Sequence, residues 1–299
     1  MATRSRDIMK TFEKSFIKNQ SAMEYLMTYG WSILIVAVVL GALSFLGVFN
    51  PLTFAPKASA GGCQVIRNTG LGVSNLEGAC NNQLPQYVAQ FNGNASIIIN
   101  NPRFESKTQA TAVIWFRLSD PDGGWEVHFL SYGNETCTGN AFTMGVGGSA
   151  SPYGMYVDTW CTQISTSVVP SNNIWYMGIA EINSTSERVC LDGGSLQCAT
   201  KSIIPNVITN TPIYMGSWPN RPGFAGMLSD AQLYNTSFTN SSIEALYQEG
   251  VGGVPVDSRN LVGWWPLNGN ANDYSGNNNN GVPTNVVFTS DWYNGYTQP

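Results

Sequence analysis

The side chains able to do chemistry are few, and their spacing limits what that chemistry can be. The single histidine, His128, alternates with Glu126 in Trp125-Glu126-Val127-His128-Phe129. Strand periodicity places the two on one face, as an acid/base couple or, more plainly, as part of an exposed strand surface. No Ser or Cys nucleophile motif accompanies them. Cys63, Cys80, Cys137, Cys161, Cys190 and Cys198 include no Cys-x-x-Cys pair, and with one histidine in the chain a zinc site has too few ligands. An even set of six is expected to form disulfides. Fifteen connectivities exist, and successive pairing (63 with 80, 137 with 161, 190 with 198) closes the shortest loops. Asn-x-Ser/Thr sequons stand at Asn94, Asn134, Asn183, Asn235 and Asn240 as N-glycosylation candidates. Trp125, Tyr153, Trp160, Trp218 and Trp292 lie beside turn residues and are expected to be more exposed than Trp115 or Trp175.

The elements that must position these groups follow from composition. The chain has 299 residues and 43% hydrophobic content, enough for a real core. Only 11% of residues are charged, with 14 basic against 19 acidic, which excludes a coiled coil and a basic nucleic-acid binder. An uncharged surface rich in Asn, Gly, Ser and Thr suits short strands joined by turns. Charge is uneven along the chain. Residues 1–19 hold Arg4, Arg6, Lys10, Lys14 and Lys18 against Asp7 and Glu13, a balance of +3 that leaves −8 for the rest of a chain of net charge −5. From Trp31 to Phe49 there are nineteen residues without a charge, long enough to span a bilayer. Basic residues before the span keep that end cytoplasmic, so the body is expected outside the cell. Disulfides suit that compartment.

Lys18-Asn19-Gln20-Ser21-Ala22-Met23-Glu24-Tyr25 runs straight into the apolar stretch. This resembles the class III signal peptide of archaeal type IV pilin-like proteins. The resemblance implies cleavage between Asn19 and Gln20, where the family usually has Gly in place of Asn19, and retention of the apolar helix by the mature protein. Glu24 is then the fifth mature residue. A carboxylate in hydrocarbon seeks a cation, and the freed amine of Gln20 on a neighbouring subunit would supply one for assembly. The plainer alternative is a single-pass anchor with Glu24 at headgroup level. Implied partners are identical subunits in a helical filament, a prepilin peptidase with its assembly machinery, and the membrane before assembly. The expected layout is a leader over 1–19, a pilin-like helix over 20–50, a linker over 51–62 and a β head over 63–299.

In the head, short runs rich in β-branched and aromatic residues predict strands at Tyr87 to Phe91, Ser96 to Ile99, Ala110 to Leu118, Glu126 to Tyr132, Met155 to Trp160, Trp175 to Ile182 and Ile213 to Gly216. A helix is expected near Ser241 to Glu249. The blocks Tyr87 to Gly93, Ala112 to Phe116, Trp175 to Met177, Leu191 to Gly193, Ile213 to Gly216, Phe224 to Asn235 and Ile243 to Gly250 resemble, in order, a laminin-G-like, concanavalin A-like domain. The fold expectation is therefore an all-β jelly-roll sandwich preceded by one long hydrophobic helix. Leu261 to Asn277 is similar to the opening hairpin of that family, yet it follows the closing helix. Strands over 258–299 are thus expected to fold back as a circular permutation, or to complete a neighbouring subunit.

The resemblance implies binding of carbohydrate or protein ligands from loops at the rim or from a sheet face. Trp125, Tyr153, Trp160, Trp218 and Trp292 are the candidates for stacking on sugar rings. Some relatives carry calcium, and Asp273 in Asn272-Asp273-Tyr274-Ser275-Gly276-Asn277, joined by Asp230, offers oxygen ligands for it; a tight Asx turn without metal is the alternative. Sugar hydrolases on this sandwich need paired carboxylates, usually Glu-x-Asp-x-x-Glu, which does not occur here, so no catalytic residue and no enzyme is expected. Three functions stand in order: a subunit of an extracellular archaeal pilus-like adhesion filament, a monomeric membrane-anchored surface lectin, and a cell-wall glycan hydrolase.

Overall fold

The computed structural model describes residues 27, 29–45, 84–100, 102, 104, 106–119, 126–134, 136, 140–147 and 154–299, with the backbone alone of 57–58, 63–67 and 74–78. The chain divides into two compact units, Met1–Ala55 and Pro56–Pro299. In the first, helix α1 covers residues 29–45. Its apolar side chains, among them Ile33, Val38 and Phe45, are exposed. Among the described residues no helix is long and apolar enough to cross a membrane. Asn19, Gln20, Glu24 and both ends of the expected helix over 20–50 lie outside the described residues.

The second unit opens with four short strands: β1 (Lys57–Ala58), β2 (Cys63–Arg67), β3 (Ser74–Gly78) and β4 (Leu84–Pro85). It continues with β5 (Val88–Asn92), β6 (Ser96–Ile99), β7 (Ala110–Leu118), β8 (Val127–Gly133), β9 (Ala141–Val146), β10 (Met155–Asp158), β11 (Ile164–Ser165), β12 (Trp175–Asn183), β13 (Ser186–Asp192), β14 (Gln197–Ser202), β15 (Ile213–Met215) and β16 (Ala225–Tyr234). Helix α2 (Asn240–Glu249) and strands β17 (Leu261–Trp265), β18 (Gly281–Thr284) and β19 (Val287–Thr289) follow. One antiparallel sheet has the order β11-β10-β9-β8-β15-β6-β18. The other runs β14-β13-β12-β7-β16-β5-β19, with β17 also paired to β16. The fold is thus an all-β sandwich of two antiparallel sheets.

Alternation along each strand builds the core. Ile97, Ile99, Ile114, Phe116, Phe129, Met144, Met155, Val157, Val189, Leu191 and Leu228 point between the sheets and are buried. Each large apolar side chain removed from water contributes about 1.5–3 kcal/mol.

The C-terminal strands complete their own sandwich. The long β16 pairs with β5 over Ala225 to Leu228 and with β17 over Ala231 to Tyr234, while β18 adds to β6 and β19 to β5. The C-terminal strands therefore pair within the chain. A bulge in β16 between Ser229 and Gln232 puts Asp230 at φ 49°. That local turn re-aims its carboxylate toward β17, a common use of a bulge.

Helix α2 starts at Thr239, whose hydroxyl accepts a hydrogen bond from the Ser242 amide, and stops at Gly250 with φ 76°. It lies on the outer face of the sheet containing β7, where Tyr247 stacks on Trp115 at 5.5 Å. The C-terminal tail covers more of that face. The Trp175 indole donates to the Trp292 carbonyl at 2.9 Å, and Tyr296 meets Trp115 edge-on at 5.9 Å. Trp292 is fully buried here, so it packs the fold and does not face a ligand as its flanking turn residues led one to expect.

Candidate functional site

With α2 and the tail over one outer face, the outer side of the other sheet is where polar and aromatic side chains meet solvent together. A cavity of about 350 Å³ lies there, lined by Glu126, Asp158, Trp160, Cys161, Thr162, Gln163, Lys201 and Arg221. Its centre is a turn. The strand expected to run to Trp160 ends at Asp158, because Trp160 and Cys161 both take positive φ, 72° and 66°. Two consecutive non-glycine residues in that region are strained and need outside support. The Asp158 carboxylate gives it by accepting from the Thr162 amide at 3.0 Å and from the amides of Trp160 and Cys161. Cys161 is itself disulfide-bonded, and its expected partner Cys137 lies outside the described residues.

The turn holds the Trp160 indole half-exposed, stacked on Trp218 at 6.2 Å, with the Arg221 guanidinium 4.9 Å from its ring centre. Trp218 also meets Tyr214 at 6.2 Å and His128 at 5.9 Å. Among the sequence candidates, Trp160 therefore forms the wall of the cavity and Trp218 backs it. Trp125 and Tyr153 lie outside the described residues.

His128 and Glu126 do share a neighbourhood, but His128 is fully buried and not part of an exposed strand face. Gly145 stands opposite both His128 and Tyr156 in the sheet, and a Cβ there would meet the Val127 carbonyl at 1.8 Å. Its bare backbone lets the Tyr156 hydroxyl reach His128 Nδ1 at 3.0 Å. Burial, aided by the nearby Arg221 charge, lowers the His128 pKa to about 3, which leaves the ring neutral at physiological pH. Burial, then the charges of Glu126 and Asp158, push the Tyr156 phenol well above its ordinary value. A neutral imidazole beside a protonated phenol forms a buried, uncharged pair behind Trp218.

Behind the turn, Glu187 on β13 is fully buried, and its Oε2 accepts from Thr159 Oγ1 at 3.2 Å and Thr162 Oγ1 at 3.1 Å. Burial first, then the charge of Asp158, raise its pKa to about 7. Burial also pushes Asp158 up. Lys201 Nζ donates to the Thr162 carbonyl at 2.6 Å. Sequence reasoning missed Asp158, Glu187, Lys201 and Arg221, because each belongs to a different element. The one available signal was the run Asp158-Thr159-Trp160-Cys161-Thr162, a turn-forming acid beside an aromatic and a cysteine.

The two carboxylates expected to hold calcium are used differently. Asp273 Oδ1 accepts from the amides of Trp264 and Ser275 at 3.0 and 2.8 Å, and its Oδ2 from the Asn279 amide at 2.8 Å. Asp230 accepts from the Trp264 indole and from Gln232 Nε2, both at 2.8 Å. N–H donors converge on both groups, which is the Asx-turn alternative for Asp273 and a buried network for Asp230. Among the described residues no group of three or more His, Cys, Asp or Glu could hold a metal ion.

The Cys190–Cys198 disulfide forms as expected, across the β13–β14 register. Cys63 and Cys80 have side chains outside the described residues. Asn94, Asn134, Asn235 and Asn240 are exposed and Asn183 is half-buried.

The family described as the Concanavalin A-like lectin/glucanases superfamily matches residues 91–244. No curated protein sequence matches the chain. Among solved structures, it is similar to a candidate carbohydrate binding protein from Bacteroides ovatus ATCC 8483, with a TM-score of 0.54 and 15% identity over 70% of this chain. The chain spans 61% of that protein's length. It is also similar to domain 4 of the extracellular arabinanase AbnA from Geobacillus stearothermophilus, solved with arabinotriose, with a TM-score of 0.41 and 15% identity over 52% of this chain and 73% of that one.

Proposed function

This chain belongs to the concanavalin A-like lectin/glucanases superfamily, and from that premise we propose that its head binds carbohydrate at the Trp160 cavity and is displayed outside the cell by an N-terminal helix that assembles into a filament. The observation that carries the binding half is Trp160 itself, a half-exposed indole fixed on a strained turn and ringed by Gln163, Lys201, Arg221 and Glu126. Indole faces stack on the apolar faces of sugar rings, and polar neighbours at their edges meet hydroxyls.

Binding without turnover is favoured by how the carboxylates are engaged. Asp158 is held by backbone amides and Glu187 lies behind two threonines, so neither is placed to protonate a glycosidic oxygen while the other attacks across the sugar. The expected test is binding of the purified full-length chain to a glycan array, with Trp160→Ala losing the signal at unchanged melting temperature. Equal binding by the variant, or release of sugar from the bound glycan, refutes the reading.

The filament half is supported by the Asn19-Gln20 junction, Glu24 at the fifth mature position and the uncharged run Trp31 to Phe49. In this reading a prepilin peptidase trims residues 1–19 and identical subunits bundle their helices after leaving the membrane. A mature N-terminus at Gln20 and filaments visible by electron microscopy are the expected outcomes. Asn19, where the signal usually carries Gly, favours the second reading of an uncleaved, monomeric membrane-anchored lectin; a mature chain that starts at Met1 with no filaments would select it.

A further inference from the structure

The five sequons are equivalent as motifs, but the fold treats them unequally. Asn94, Asn134 and Asn235 are exposed, and their side-chain amides make no hydrogen bond among the described residues. Asn94 lies in the β5–β6 turn, Asn134 follows the end of β8, and Asn235 follows β16, so each sits where a strand has just ended or is about to begin. In the other two the side-chain amide oxygen is already bonded. Asn240 Oδ1 accepts from Arg188 Nη1 at 3.0 Å, and the same guanidinium binds the buried Glu181 at 2.8 Å and the Phe238 carbonyl at 2.7 Å. Its sequon Asn240-Ser241-Ser242 forms the first turn of α2, and the Ser242 hydroxyl lies 3.0 Å from that of the Thr239 cap. Asn183 is half-buried at a tight β12–β13 hairpin, and its Oδ1 already accepts from the amide and hydroxyl of Thr185, the third residue of its own sequon, at 2.9 and 3.1 Å.

An N-glycosyl transfer needs the Asn side-chain nitrogen and the hydroxyl two residues on, both presented by backbone that can bend into a transferase. We infer that Asn94, Asn134 and Asn235 are N-glycosylation sites of the folded head, and that Asn183 and Asn240 are not. The donor class is a lipid-linked or nucleotide-linked glycosyl phosphate. Asn Nδ2 forms a bond to the anomeric carbon, the bond from that carbon to the phosphate oxygen breaks, the phosphate leaves with the electron pair, and the amide proton passes to a base of the transferase. The sites differ in setting. Asn134 and Asn235 stand at one end of the sandwich: Thr111 of β7 holds the Thr236 carbonyl beside Asn235, while Asn140, bonded to the Asn134 amide, also accepts from Ile208 next to the Val207–Lys107 bond.

The inference rests on the extracellular placement proposed above, and one experiment separates the two. Full-length protein is shaved from intact cells of its own source with protease, and its peptides are mapped by mass spectrometry. Sugar mass on the Asn94, Asn134 and Asn235 peptides with bare Asn183 and Asn240 is the expected result, and in the intact chain Thr136→Ala loses one glycan whereas Thr136→Ser keeps it. Bare peptides at all three sites from protein that the protease reaches overturn the glycosylation and leave the placement standing. A chain that the protease never reaches, mapped bare from lysed cells, overturns both. Equal occupancy at Asn183 or Asn240 overturns the selection by the fold.

Discussion

Replacing Glu187 by glutamine is expected to stabilise the head at alkaline pH and to do nothing at acid pH. Glu187 titrates near 7 in the fold, where burial disfavours its charge and Asp158 adds repulsion, against 4.5 as its ordinary value. A folded-state pKa above the unfolded one means that the fold prefers the protonated acid. Its full contribution is present below about pH 4.5, declines as pH rises, and is gone above about pH 7. The difference corresponds to about 3 kcal/mol of ionisation free energy, since a tenfold change in proton affinity is 1.36 kcal/mol. The amide introduced by Glu187→Gln keeps an oxygen for the Thr159 and Thr162 hydroxyls and carries no charge to bury. For a domain of this size about 3 kcal/mol is a rise in melting temperature of about 6–12 °C. Thermal unfolding of wild type and Glu187→Gln between pH 4 and 9 reads it. The buried Asp230, also raised to about 7, gives the same sign of pH dependence, so the difference between the two proteins is the deciding quantity. Parallel curves, or a variant that is less stable at pH 8, would refute the account of Glu187 as a carboxyl held neutral by burial.

Two further substitutions test the supports of the sandwich. Trp264→Phe removes the indole donor from buried Asp230 and shrinks a ring that is 1% exposed, and is expected to lower the urea midpoint by the equivalent of about 3 kcal/mol with an unchanged slope. Glu181→Ala strips the partner from Arg188 and leaves the Phe238 amide, now bonded to Glu181 at 2.9 Å, without an acceptor. A loss of about 3–5 kcal/mol is expected from the orphaned charge, and the added Arg188→Met substitution should recover part of it in the same unfolding assay.

Much of the sandwich was legible along the chain. Ala110 to Leu118 and Ser96 to Ile99 form strands with the expected bounds, because β-branched and aromatic runs flanked by turn residues have few other stable conformations. The helix begins one residue before expectation, at Asn240, where Thr239 caps it. Met155 to Trp160 reads as one strand in sequence but ends as a strand at Asp158, since the convergence of three amides on Asp158 stabilises the left-handed turn at Trp160 and Cys161.

Local order along the chain determined the β body, the turns, the apolar N-terminal run and the cysteines that close Cys190 on Cys198, since each depends on neighbours within a few residues. Tertiary structure alone decided which aromatics face outward. Trp160 and Trp292 both sit beside turn residues, yet α2 and the tail close over one sheet and bury Trp292, while the other sheet keeps its outer face and Trp160 open. It also decided that Asp230 meets Trp264 across 34 positions and that Glu187 lies behind a turn about 25 residues upstream, pairings that no periodicity encodes because they arise only when two sheets pack.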